Sequence, residues 1–245
     1  MRASQRAFIG VSTLLFAVSA TITIVWCMSV PAASACATHA AAGDAASFLG
    51  MWVVMMVAMM LPTLVPMLSR YRQAVAGSGE ASLGRLTILV GAGYFFVWAA
   101  AGLIVFPLAA AVAAIEMEQP ALTRGVPIAA GGAVLVAGAL QFTAWKARQL
   151  ACCREAGAVD NPLSADAASA LRHGVRLAYD CGRCCANLMA ILLIAGIMDL
   201  RAMAVVTAAI AVERRAPGGE RAARAIGAIA VGAGVLVIAQ AAGLG

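Results

Sequence analysis

A chain of 245 residues that is 63% hydrophobic and 11% charged, with a mean hydropathy of +0.94, carries more apolar surface than one soluble core can hide. In a bilayer lipid solvates that surface and the backbone must satisfy itself in helices or a closed barrel; the long unbroken apolar runs here select helices. The formal charge of +6 comes from basic residues scattered between those runs, which reads as a topology signal and argues against a nucleic-acid partner.

Windows of about twenty residues, matched to a hydrocarbon core of about 30 Å, give seven spans at 8–28, 48–68, 86–108, 126–145, 177–198, 202–212 and 225–243. The expected fold is all-α, a polytopic transmembrane helical bundle forming one integral membrane domain over residues 1–245, with the lipid bilayer as its first partner. The first span follows Arg2 and Arg6 and precedes a cleavage-like Ala33-Ser34-Ala35 before Cys36, but its apolar run exceeds a signal core, so it reads as a retained anchor. Residues 146–176 form the one sizeable polar loop, on the cytoplasmic side. The sixth span has eleven residues, roughly 16 Å of helix, and reads as half of a hairpin turning at Asp199 to Arg201, with Arg201 snorkelling or the bilayer thinned. Alternating the spans from a cytoplasmic N-terminus leaves only Arg124 and Arg201 of the seventeen Lys and Arg residues outside and puts the C-terminus outside. Fusing the fifth and sixth spans would instead expose Arg214, Arg215, Arg221 and Arg224 on the external side.

Chemistry concentrates in two of these segments. The second span reads Met51-Trp52-Val53-Val54-Met55-Met56-Val57-Ala58-Met59-Met60. On a helix Met55 and Met59 are one turn apart, as are Met56 and Met60, so thioethers line adjoining stripes. A thioether is a soft neutral donor suited to copper(I), although methionine also fills gaps between helices without any ligand. Pro62 and Pro66 follow, each removing a backbone donor and freeing a carbonyl one turn earlier, which makes either a simple bend or room for an ion.

The fifth span opens with Cys181-Gly182-Arg183-Cys184-Cys185. At about 100° per residue the three thiols share one helix face, Arg183 points away, and Met189 extends the face by a turn. Counted along the helices, Cys184 and Met59 lie about 11 Å and about 13 Å from the cytoplasmic side of a core of about 30 Å, so sulfur ligands can converge if the two helices touch. The pattern also describes redox dithiols, zinc half-sites and buried thiols that merely pack; zinc is disfavoured because no second Cys/His pair lies nearby. Cys27 and Cys36 fall on the external side, where a disulfide or, for Cys36 with His39, a transient metal pick-up is available. Cys152 and Cys153 fall in the cytoplasmic loop as a hand-off point, and His173 reads as an interfacial residue of that loop. External Asp44, Glu116, Glu118 and Asp199 outnumber the external arginines and favour approach of a cation.

No Walker loop, dinucleotide turn, nucleophile elbow or zincin helix occurs, so an enzyme is not expected, and two histidines make haem or dinuclear oxidase sites poor candidates. The competing readings are a copper(I)-handling membrane protein, as chaperone or transporter; a thiol-disulfide relay of Cys181 and Cys184 with Cys27 or Cys36; and a scaffold without ligand.

Taken in order, Met51-Trp52-x-x-Met55-Met56-x-x-Met59-Met60-x-Pro62, Gly93-Tyr94-x-x-x-Trp98, Gly138-x-x-Gln141-Phe142-x-x-x-Lys146, Cys181-x-x-Cys184-Cys185-x-x-Leu188-Met189 and Gly196-x-Met198-Asp199 resemble the bacterial predicted metal-binding integral membrane proteins. The resemblance runs from Phe48 to Pro217. It implies a multi-pass protein of the bacterial inner membrane, with some relatives acting as copper chaperones for secreted or membrane copper oxidases. It therefore implies a copper-dependent oxidase or a soluble copper carrier as partner. The metal ligands it implies are the Met run of the second span with Cys181, Cys184 and Cys185. The chain departs from the family pattern at Ala186, where an aromatic residue is expected, at Arg183 in place of a small residue, and at Asp199 in place of Asn.

Overall fold

A computed structural model describes residues 2–29, 45–75, 79–118, 125–155, 165–196 and 199–243, with side chains except at 2, 3, 80, 81, 112–118 and 155. Eight helices account for nearly all of the described residues: α1 (Arg2–Ser29), α2 (Ala45–Ala74), α3 (Glu80–Glu118), α4 (Val126–Leu140), α5 (Ala144–Glu155), α6 (Ala167–Ala195), α7 (Leu200–Arg215) and α8 (Gly219–Ala241). Five of them, α1, α2, α3, α6 and α8, are long and apolar enough to cross a membrane, and α4 with α5 makes a sixth such segment bent by 66°. Their outer faces are apolar: Ile88, Phe96, Leu103 and Ile104 of α3 and Ile229, Val235 and Leu236 of α8 are exposed. Such faces are stable only against lipid or another apolar surface.

Two packing interfaces organise the bundle, and both depend on missing side chains. Helices α3 and α6 approach backbone to backbone at Gly93 and Gly174. A Cβ at Gly174 would fall on the Val90 carbonyl and within 3.0 Å of the Tyr94 nitrogen. Helices α4 and α8 meet through two glycine pairs; a Cβ at Gly131 would come within 3.0 Å of the Gly234 carbonyl, and one at Gly138 within 3.1 Å of that of Gly227. In lipid, where apolar helices gain nothing by hiding from their solvent, such close approach is the main source of helix association. Helix α1 attaches to α2 through the buried Arg72, which donates to Ser4 Oγ at 2.8 Å and to Thr87 Oγ1 of α3 at 3.1 Å and lies over the Phe8 ring.

Three expected boundaries shift. The expected continuous span at 126–145 breaks after Leu140, because the amides of Gln141, Phe142 and Thr143 turn back to carbonyls three residues earlier and Thr143 Oγ1 accepts from the Lys146 amide. The segment expected as a polar loop at 146–176 is helical at both ends: α5 buries Leu150 and Cys153, and Asp166 caps α6 by accepting from the Ser169 amide at 2.9 Å. The short sixth segment is longer than expected, α7 having 16 residues, about 24 Å, with Asp199 as its N-cap accepting from the amides of Arg201 and Ala202. Helix α2 runs through both prolines, and Arg215 donates to the Pro62 carbonyl that Pro66 leaves without an amide partner.

Gly174→Ala is expected to destabilise the detergent-solubilised protein by about 1–3 kcal/mol, since a methyl must be forced between two backbones. Gly182→Ala, whose Cβ would meet open space, is expected to leave the thermal midpoint unchanged or raise it. Equal midpoints for the two variants in a thermal scan would contradict the close-approach account.

Candidate metal centre

Helix α6 turns Cys181, Cys184, Cys185, Leu188 and Leu192 into the core, each no more than 2% exposed. Arg183 points outward over the ring of Tyr179. Met55, Met56, Met59 and Met60 of α2 are buried in the same core, as is Met189. The sulfur of Cys181 is where the two runs meet. It accepts from the Tyr94 hydroxyl at 3.0 Å and from Arg214 Nη1 at 3.0 Å, and lies 4.0 Å from Met60 Sδ.

Cys184, one residue before Cys185, presents its backbone carbonyl to Lys146 at 2.7 Å. It is buried in the same core as Cys153 of α5, each 1% exposed. Arg214 Nη2 donates to Cys153 Sγ at 2.7 Å and approaches Met67 Sδ at 3.8 Å. Four buried thiols, Cys153, Cys181, Cys184 and Cys185, thus share one core, and one guanidinium reaches two of them, Cys181 and Cys153. Among the described residues no three Cys, His, Asp or Glu side chains form a ligand group by themselves. Coordination here would therefore draw on two thiols at a time, with thioether help. That donor set suits a soft ion of low coordination number and offers nothing to calcium or magnesium.

A second polar cluster closes the site where α4 breaks. The Lys146 ammonium, 1% exposed, donates to the Cys184 carbonyl at 2.7 Å, pairs with Glu213 at 2.7 Å and lies 3.4 Å from Asn187 Oδ1. Gln141 Nε2 donates to the other Glu213 oxygen at 2.7 Å, and Asn187 Nδ2 donates to the Ala137 carbonyl at 3.4 Å. A buried charge is tolerable only when paired and hydrogen-bonded, and this arrangement meets that condition while gripping the turn that carries Cys184.

Spacing along the chain anticipates the shared burial of Cys181, Cys184, Cys185 and the Met run. It assigns Arg214 no role beyond topology and Cys153 none beyond a loop hand-off. Tyr94, Gln141 and Lys146 stand in the motifs that carry the resemblance, which is the available signal for them. Met67, on the same face of α2, has no such signal. His173 lies on α6 and stacks on Tyr71 with ring centres 5.2 Å apart. Cys36, His39, Asp44 and Met198 lie outside the described residues, as do the side chains of Glu116, Met117 and Glu118.

A family model described as copper chaperone, PpoB2, matches residues 49–237, a stretch that contains the four buried thiols, Arg214 and the Lys146–Glu213 cluster. The chain belongs to this copper chaperone family. No curated protein and no solved structure matches it.

In this copper chaperone the ion pair is a structural lock on the thiol turn. Lys146→Met alone, which strands Glu213, is expected to cost about 3–5 kcal/mol, whereas the double variant Lys146→Met/Glu213→Leu is expected to regain most of that loss. Thermal unfolding in detergent reads both; a double variant no more stable than the single one would refute the lock.

Proposed function

We propose that this chain is a multi-pass copper(I) carrier of the bacterial inner membrane, with its N-terminus in the cytoplasm and its C-terminus outside. It forms one integral membrane domain, in which α7 and the bent α4–α5 pair join the five long helices as spans. Copper(I) is its cargo, held by two at a time of the buried thiols of Cys181, Cys184 and Cys185, with the thioether of Met60. Met55, Met56, Met59 and Met189 complete a soft, water-poor lining. The protein passes the ion to a copper enzyme or a soluble carrier and catalyses no reaction of its own.

The observation that carries this reading is the 4.0 Å approach of Cys181 Sγ to Met60 Sδ inside a buried core, with a guanidinium 3.0 Å from the same sulfur. Thiolates bound to copper(I) leave a net negative charge, which is costly in an apolar core unless a cation stands beside it. Arg214 supplies that compensation, Lys146 being already paired with Glu213. A thiol-disulfide relay between Cys181 and Cys184 draws no such support, since the buried methionine run has no part in that chemistry.

The reduced, purified protein is expected to bind copper(I) with sulfur-only coordination by X-ray absorption. The combined Cys181→Ser, Cys184→Ser, Cys185→Ser variant is expected to lose stoichiometric binding while keeping its helical circular dichroism. Unchanged copper affinity in that variant, or nitrogen and oxygen ligands in the wild type, would refute the site. Copper uptake into sealed vesicles, without an added acceptor, would show transport in place of delivery.

A further inference from the structure

We propose that Arg214 makes the thiol site selective for singly charged soft ions, by holding against sulfur a positive charge that only a monovalent cargo leaves balanced. The proposal rests on the copper(I) reading above and names the residue that sets its specificity.

The guanidinium is committed to sulfur. Arg214 Nη1 donates to Cys181 Sγ at 3.0 Å, and Nη2 donates to Cys153 Sγ at 2.7 Å while lying 3.8 Å from Met67 Sδ. No carboxylate neutralises it there: ion pairs among the described residues join Lys146 to Glu213 and Arg224 to Glu220. Glu213, the neighbour of Arg214 in the chain, is already engaged by Lys146 and Gln141. The two cations near the thiols therefore differ in kind. Lys146 belongs to a pair with no net charge, whereas Arg214 faces the sulfurs with its charge intact. Cys153, Cys181, Cys184 and Cys185 are each at most 1% exposed, so a charge placed on them is poorly screened by water or salt.

Counting charge then separates the ions. With two protonated thiols and Arg214, the metal-free site carries one positive charge. Copper(I) or silver(I) displaces two thiol protons to the buffer and brings one charge, so the loaded site is neutral. A divalent soft ion displaces the same two protons and brings two charges, so the site keeps its positive charge. Without Arg214 the monovalent ion would leave a buried anion, and the divalent ion would leave no charge. Arg214 thus favours the monovalent ion by the cost of burying one uncompensated charge and does little for the divalent one. A third thiolate would restore balance for a divalent ion, but among the described residues no three Cys, His, Asp or Glu side chains form a ligand group.

Silver(I) and mercury(II) make the test, since both take two thiolates in a linear arrangement and they differ by one charge. The full-length, reduced protein in detergent is titrated with each ion, and with copper(I), against a small competing thiol. Arg214→Gln is expected to weaken copper(I) and silver(I) by about tenfold or more and to leave mercury(II) nearly unchanged. Arg214→Lys, which keeps the charge, is expected to restore most of the preference for silver(I) over mercury(II). Equal weakening of silver(I) and mercury(II) in Arg214→Gln would mean that the guanidinium acts through packing alone and would overturn the proposal. Unaltered affinity for both ions would do the same, as would a preference in Arg214→Lys as low as in Arg214→Gln. Each of those results, with copper(I) still bound by the wild type, leaves the copper(I) reading standing; a wild type that binds no copper(I) sinks both. The wild type alone gives a check free of substitutions. Silver(I) is expected to shift the side-chain nitrogen NMR signals of one arginine, whose acceptor changes from thiol to metal-bound thiolate. Bound silver(I) that leaves every arginine signal in place would refute the role of Arg214.

Discussion

A single guanidinium gathers sulfur from three helices. Arg214, near the end of α7, reaches Cys181 on α6, Cys153 on α5 and Met67 on α2. Sulfur is a weak acceptor, so a cation that spends its hydrogen bonds on sulfur gives up stronger partners in water. It can do so only where the surrounding helices already exclude water and offer nothing harder. The residues on either side extend the same hold: Glu213 takes Lys146 and Gln141, and Arg215 takes the Pro62 carbonyl. The last turn of α7 is thus tied to α2, α4, α5 and α6, and the soft donors keep their positions because that turn keeps its own.

Close backbone contact makes the hold geometrically available. Gly93 and Gly174 let α3 and α6 meet without intervening side chains, which brings the Tyr94 hydroxyl within reach of Cys181. Gly138 does the same for α4 against α8, just before the chain turns at Gln141. In the motif Gly93-Tyr94-x-x-x-Trp98 the glycine admits α6, the tyrosine donates to a thiol, and the Trp98 carbonyl accepts from the Trp52 indole at 2.8 Å. The motif Gly138-x-x-Gln141-x-x-x-x-Lys146 divides in the same way between helix approach and the buried carboxylate of Glu213.

The break between α4 and α5 shows how a polar cluster can override hydropathy. The apolar run continues to Leu140 with no proline near its end, so hydropathy alone does not demand a stop. Continuing as one helix would separate Gln141 and Lys146 from Glu213. The bend keeps both on the carboxylate, and the cost of three tight turns is offset by satisfying a buried charge.

Hydropathy along the chain is enough to establish apolar helices, because lipid leaves the backbone no other way to satisfy its amides in long open runs. A rotation of about 100° per residue is likewise enough to put Cys181, Cys184 and Cys185 on one side of a helix and a methionine stripe on another. Which partner each thiol meets is a matter of helix packing. Arg214 and Cys153 are 61 positions apart, and Cys181 and Met60 are 121 apart, separations at which helical periodicity carries no information. Packing also makes Arg214 a partner of sulfur as well as a marker of sidedness. Charge counted along a chain registers that a cation is present; only the arrangement of neighbouring helices determines whether it meets water, phosphate or a thiol.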